Sequence, residues 1–165
     1  MFKLLKPKLY VSRLEDIPLD KLSEQGIRGL IIDLDNTVTE WNSNFVHEKV
    51  LNWFKQLPKY NLKSCLVSNN SHGRVEQVAA QLGIPFIPKA GKPRRKSFRK
   101  AMEILGIDPQ ATAVIGDQIF TDVLGGNRLN LVTILVVPLT KKEFIGTRFM
   151  RQLEKLVLAS IVKKL

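Results

Sequence analysis

The chain's 165 residues, 44% hydrophobic and 25% charged, suffice to close one core and hardly two, so one domain is expected over residues 1–165. A formal net charge of +11, with a sequence pI near 10.0, predicts attraction to polyanions or anionic lipid surfaces, although a basic surface can also do no more than solvate the domain. One cysteine, Cys65, excludes an intramolecular disulfide, and two histidines, His47 and His72, provide no zinc-ligand cluster; both facts fit a reducing cytoplasm.

The chain opens with MFKLLKPKLYV, in which Lys3, Lys6 and Lys8 are mixed with Phe2, Leu4 and Leu5, while Pro7 and Lys8 break the apolar run that a signal peptide needs. Apolar, β-branched runs then alternate with segments of helical period. Gly29–Leu34 (GLIIDL) reads as a strand, a helix follows at about Val46–Leu57 and is closed by Pro58, and Leu62–Val67 (LKSCLV) is the next strand. A helix at about Gly73–Leu82, ended by Gly83, leads to a short strand at Pro85–Ile87. Pro93 suits the first turn of a helix that runs to about Leu105, with Gly106 after it. Thr112–Ile115 (TAVI) and Val132–Val137 (VTILVV) are strands on either side of a helix at about Phe120–Leu129.

The longest uncharged stretch, Leu129 to Thr140, falls far short of the roughly 20 apolar residues that span a bilayer, so no transmembrane segment is expected. From Lys141 to Leu165 seven basic residues stand against Glu143 and Glu154. At a helical turn of about 100° per residue, Phe149, Leu153, Leu156 and Val157 share one face while Arg148, Arg151 and Lys155 share another. This basic segment reads as an interfacial amphipathic helix, or equally as a helix packed on the sheet or on a partner subunit.

Strand–helix alternation with unbroken hydrophobic strands predicts an α/β, three-layer, Rossmann-like fold whose central parallel sheet has about five strands covered on both faces. Ligand sites in such sheets lie beyond the carboxyl ends of the strands. At the first of those ends stands Asp33-Leu34-Asp35-Asn36-Thr37. Residues two apart on a strand point the same way, so Asp33 and Asp35 would repel each other unless a cation sat between them, and oxygen ligands alone suit magnesium. The same residues could simply cap the following turn. Ser68-Asn69-Asn70 ends the second strand and offers a hydroxyl and an amide to a phosphate oxygen, or an ordinary helix cap. Lys92 stands at another strand-to-helix junction, and Gly116-Asp117-Gln118-Ile119-Phe120-Thr121-Asp122 ends the fourth strand with a glycine and two further acids. Any one of these has a structural explanation, but the ordered set of four at one sheet edge is rarely supplied by chance.

That set resembles the four motifs of the haloacid dehalogenase (HAD) superfamily, from about Gly29 to Val137, and its wording (DLDNT, Ser-Asn-Asn, Lys92-Pro93, GDQIFTD) is similar to the small YqeG-type phosphatases of subclass IIIA. The resemblance implies a phosphomonoester hydrolase in which Asp33 is the nucleophile that forms an aspartyl phosphate. Asp35 is then the general acid and base, and Ser68, Lys92 and Asn69 bind the phosphoryl oxygens. Mg²⁺ is assigned by the same resemblance to the Asp33 side chain, the Asp35 backbone carbonyl and Asp117, with Asp122 in support. These residue types suit the chemistry, because a phosphate dianion repels an anionic nucleophile unless cations offset the charge, and covalent capture divides a slow hydrolysis into two easier steps.

Thirty residues separate Thr37 from Ser68 and 23 separate Ser68 from Lys92, each interval nearly filled by one helix, so no large cap domain is expected. An open cleft suits a phosphate carried on something large. YqeG-type proteins are similar to phosphatidylglycerophosphate phosphatases, which implies a lipid head group as substrate and a protein lying at the cytoplasmic face of an anionic membrane. A soluble or macromolecular phosphoester is the alternative. A ribosome- or RNA-associated binding module is another, suggested by Lys92, Arg94, Arg95, Lys96, Arg99 and Lys100 in one stretch but lacking an aromatic stacking motif. Receiver domains combine acids, Ser/Thr and Lys too, but without a second acid two residues after the phosphorylated one.

Overall fold

In the computed structural model, which describes residues 2–142 and 145–162, six strands form one parallel sheet. They are β1 (Leu9–Val11), β2 (Gly29–Ile32), β3 (Lys63–Val67), β4 (Phe86–Ile87), β5 (Thr112–Gly116) and β6 (Val132–Val136). The order across the sheet is β1-β6-β5-β2-β3-β4, which puts β2 and β5 side by side at its centre. Gly29 pairs in register with Lys63 on one side and Thr112 on the other, so all three strands end at the same level.

The helices are α1 (Leu19–Glu24), α2 (Glu48–Gln56), α3 (His72–Leu82), α4 (Arg95–Leu105), α5 (Leu124–Asn127) and α6 (Ile145–Val162). Strand side chains alternate between faces, and the core follows that alternation. Leu30 and Ile32 pack with Leu66, Ile115 and Ile134 beneath Leu22, Val50, Phe54, Val75 and Val78, which brings α1, α2 and α3 to one face. Ile31, Cys65, Val67 and Val114 point the other way onto Phe98, Ala101 and Met102 of α4. Enclosure on both faces explains why the central strands read as unbroken apolar runs.

The expected five strands are present, and a sixth, β1, adds to the edge beside β6 with Leu9 opposite Ile134. Its three residues are flanked by Lys8 and Ser12, too short an apolar run to register as a strand from periodicity. The helix expected at about Phe120–Leu129 is a widened π-type turn over Ile119–Val123 followed by the four-residue α5. No cap-sized insertion interrupts the sheet, and among the described residues no helix is long and apolar enough to cross a membrane.

Candidate active site

At the carboxyl end of β2 the Asp33 amide still donates to the Ile115 carbonyl, 2.9 Å away, so Asp33 is fixed by the central ladder. The chain then turns sharply, with the Leu34 carbonyl accepting from the amides of Thr37, Val38 and Thr39. Asn36 takes a left-handed conformation, φ 59°, which asparagine tolerates better than most residues. Its side chain accepts from the Thr140 amide and hydroxyl and donates to the Lys142 carbonyl, tying the segment after β6 to this loop.

Lys92 enters from the loop after β4, and its ammonium donates to Asp33 Oδ1 and to Asp122 Oδ1, both at 2.7 Å. Asp117, at the end of β5, completes a buried group in which Asp33, Asp117 and Asp122 each bring an oxygen within 4.8 Å of the others. Gly116 makes this convergence feasible, since a Cβ there would lie 2.2 Å from Asp122 Cγ. Burial pushes the Asp33 carboxyl well above its usual range, and Asp122 and Asp117 add to that against the opposing Lys92 charge. Asp117 is likewise pushed up to about 6 by burial, against the pull of Arg151. Burial alone would lower the Lys92 ammonium, but Asp122 and Asp33 outweigh it and hold it charged. Lys92 and Arg151 offset two of the three buried acids, which leaves negative charge uncompensated, and three hard oxygens are the donor set of a Mg²⁺-like cation, so the residues fit a divalent metal.

The other expected residues lie around this group. Ser68 is buried at the end of β3, where its hydroxyl accepts from the Asn70 amide at 3.1 Å. Asn69 is engaged by the Lys92 backbone, accepting from its amide at 2.8 Å and donating to its carbonyl at 3.4 Å, and so holds Lys92 in place. The Asp35 side chain does not join the acid cluster, contrary to the expectation that it would point with Asp33. The strand ends at Ile32, before either acid, so the two-residue alternation no longer governs them. Asp35 instead accepts from Arg74 and, at 2.9 Å, from Asn70. Arg74 also reaches the Ser43 carbonyl and Asn44, binding the 39–44 loop to α3. Sequence reasoning passed over Arg74, although a cation in the first turn of a helix opposes the dipole and signals a special role.

The expected basic face of α6 is corrected at Arg151. Its guanidinium donates to the Asp117 carbonyl at 2.6 Å and to the Asp117 carboxylate, with Glu154 alongside. The side chain of Arg148 lies outside the described residues, as do that of Phe2 and residues 143–144 and 163–165. Lys155 is exposed. On the expected apolar face only Val157 turns inward, joining Leu158 and Leu5 against Ile119, Val123 and Leu135, while Phe149 and Leu156 are 68% and 69% exposed. Lys92, expected to head a basic run, is buried in the site, and Arg94, Arg95, Lys96, Arg99 and Lys100 remain exposed beside it.

Asp33, Asp35, Ser68, Asn69 and Lys92 line an open cleft of about 660 Å³ that Trp41, Asn42, Gly146, Thr147 and Met150 also line. A group whose folded pKa is raised stabilises the fold below its unfolded value, here 3.8, and loses that contribution as pH rises through about 6. In chelator the melting temperature should therefore fall by roughly 5 °C between pH 5 and pH 7, a limb flattened in Asp117→Asn and reversed by added Mg²⁺. A flat profile in the chelated wild type would contradict this electrostatic reading.

A HAD-hydrolase-like family model matches residues 89–138, the stretch that carries Lys92, Asp117 and Asp122. The chain is 40% identical to the "Probable phosphatase YqeG" of Bacillus subtilis over 98% of this chain and 94% of that one. It is 26% identical to the chloroplastic/mitochondrial phosphatidylglycerophosphate phosphatase 1 of Arabidopsis thaliana, over 96% of this chain and 48% of that protein. The fold is similar to the cobalt-bound form of the deoxy-D-mannose-octulosonate 8-phosphate phosphatase YrbI from Haemophilus influenzae, with a TM-score of 0.57, 17% identity, and coverage of 83% and 90% of the two chains. An identity of 40% sustained over nearly the whole of both sequences exceeds what a common fold requires, and the chain belongs to the YqeG-type phosphatases of the HAD superfamily.

Proposed function

We propose that this phosphatase uses Asp33 and Mg²⁺ to hydrolyse phosphomonoesters presented at an anionic lipid surface, with phosphatidylglycerophosphate as substrate and phosphatidylglycerol as product. The observation that carries the chemistry is Lys92 bridging Asp33 and Asp122 at 2.7 Å on the floor of an open cleft. Asp33 attacks phosphorus to form the aspartyl phosphate while Lys92 and the Ser68 hydroxyl hold the phosphoryl oxygens. Asp35 gives its proton to the departing alkoxide, then takes one from the water that cleaves the acyl phosphate. Both Asp35 oxygens are engaged by Arg74 and Asn70, so one of those bonds must yield when substrate enters. Asp33, Asp117 and Asp122, with the Asp35 carbonyl, would hold Mg²⁺, which supplies charge stabilisation as phosphate transfers.

Three features support lipid as the carrier. The cleft has no cap, and Trp41 lies in its wall with exposed Phe45 nearby in the chain. The helix that lends Thr147 and Met150 to the cleft also exposes Phe149, Leu153 and Leu156. The basic N-terminal segment meets α6, since Leu5 and Leu158 pack in one cluster, which gathers exposed Lys3, Lys6 and Lys155 near one side of the molecule. Each such lysine contributes on the order of 1 kcal/mol at an anionic surface, and each large apolar side chain about 1.5–3 kcal/mol when buried. The 26% identity to the plant phosphatidylglycerophosphate phosphatase supports phosphatidylglycerophosphate as that lipid.

The test compares two substrates in Mg²⁺. The triple variant Phe149→Ser, Leu156→Ser, Lys155→Glu should lose at least about tenfold on vesicle-borne phosphatidylglycerophosphate and stay within about twofold on p-nitrophenyl phosphate. Arg151 is kept intact because it touches Asp117. Equal loss on both substrates would assign these side chains to folding. Wild-type protein that ignores phosphatidylglycerol-containing vesicles at low salt would redirect the assignment to a soluble or ribosome-borne phosphoester.

A further inference from the structure

We propose that Arg151 and Glu154 of α6 are positioning residues for the metal acid Asp117, so that the C-terminal helix is a working part of the active site. The proposal rests on the reading of the acid cluster as a divalent-cation site.

Asp117 is the first residue after β5, and the turn that follows has backbone groups with no partner in the sheet. α6 packs directly against them. Glu154 Oε1 accepts from the Ile119 amide at 2.6 Å and the Phe120 amide at 3.2 Å, doing for this turn what a capping residue normally does from within a helix. Arg151 grips Asp117 twice, at its carbonyl and at Oδ2, and donates to Glu154 Oε2 at 3.3 Å. Residues 117–120 are thus held at four points by two side chains one helical turn apart. Asp122 depends on the same turn, since its amide donates to the Gln118 carbonyl and its Oδ2 accepts from the Gln118 amide.

The grip also sets which way Asp117 faces. Thr37 Oγ1 lies 3.4 Å from Asp117 Oδ1 and 3.5 Å from Asp33 Oδ2, so these two oxygens flank one hydroxyl. With Oδ2 taken by Arg151, Oδ1 is the oxygen presented to Asp33. The contact is no loose surface pair, because the side chains of Arg151, Asp117 and Glu154 are 14%, 0% and 5% exposed. Burial raises the Glu154 carboxyl, while Arg151 and the two amides draw it back, consistent with an acid kept in place by its partners. Residues that orient a metal ligand in this way typically govern affinity by about 10–100-fold. The opposite reading makes Arg151 a substitute cation that the metal must displace.

Mn²⁺, a hard divalent probe for oxygen ligands, separates the two without turnover. Electron paramagnetic resonance titration of the full chain should show one site in the wild type and none in Asp117→Ala. Arg151→Gln should bind Mn²⁺ about 10–100-fold more weakly, Arg151→Lys should fall between, and Glu154→Ala should weaken binding about tenfold, with Glu154→Gln, which keeps an acceptor for both amides but loses the one for Arg151, in between. Melting curves in chelator identify any variant that fails to fold, in which case Arg151→Lys and the Glu154 pair decide. Unchanged or tighter Mn²⁺ binding in folded Arg151 and Glu154→Ala variants would overturn the proposal and leave the metal site standing. A wild type that binds no Mn²⁺ would overturn both.

Discussion

Asp33→Asn is expected to lower turnover by at least about 10³-fold in a metal-replete assay while making the metal-free protein more stable. The loss follows from position, since Asp33 lies on the cleft floor beside both Lys92 and Ser68. An amide oxygen there is a poor nucleophile and a weaker partner for a cation. The gain in stability follows from electrostatics. Burial raises the Asp33 carboxyl, and the Asp122 and Asp117 charges add to that against Lys92, so ionising it costs more in the fold than in the unfolded chain. Asparagine has nearly the same shape, keeps an acceptor for the Lys92 ammonium and removes that charge. A rise of a few degrees in melting temperature in chelator, measured with the lost activity, would mark a site whose function is held at the expense of stability. Asp35→Asn should behave differently, slowing poor leaving groups far more than p-nitrophenolate, which needs no proton. Near-wild-type turnover by Asp33→Asn would remove the nucleophile assignment, and an unaltered melting temperature would remove the electrostatic one.

The residues that could be placed from sequence are those whose position follows from the end of a strand. Asp33, Ser68 and Asp117 each sit at or just past the end of a buried parallel strand, and β2, β3 and β5 end level because their registers align. Lys92 was legible only through the resemblance, as nothing local distinguishes it from a solvated lysine before a helix. The Asp35 side chain turns to Arg74 and Asn70 because strand alternation stops governing direction at Ile32, where β2 ends. Arg151 and Glu154 were hidden more deeply. Counted on a helical wheel they look like one more basic residue and one offsetting acid, and only the docking of α6 against the 117–120 turn gives them partners. The same docking decides between the two readings of this helix only in part, because α6 turns Arg151 and Glu154 inward and leaves Phe149 and Leu156 outside, as an interfacial helix would. Helical period predicts that a face exists, and the partners available in the fold decide which face is buried.

Two glycine-to-alanine substitutions should separate packing from propensity at this site. In Gly116→Ala the new Cβ would meet Asp122 Cγ and Oδ2 at 2.2 Å and Asp122 Cβ at 2.6 Å, distances no pair of carbons tolerates. Asp122 cannot simply swing aside, because Oδ1 is bonded to Lys92 and Oδ2 to the Gln118 amide. Either β5 shifts, carrying Asp117 with it, or Asp122 leaves Lys92 and the acid cluster opens. Both outcomes cost activity, by about 10²-fold or more, and overpacking of this kind destabilises by about 1–3 kcal/mol. Gly73 in α3 offers the contrast, for a Cβ there meets nothing within 4 Å and its backbone is helical. Gly73→Ala should therefore stabilise by about 0.5–1 kcal/mol through helix propensity alone, with phosphatase activity unchanged. A Gly116→Ala protein with wild-type activity and Mg²⁺ requirement would mean that Asp122 does not need to lie against β5, and the geometry of the acid cluster would then have to be redrawn around Asp33 and Asp117 alone.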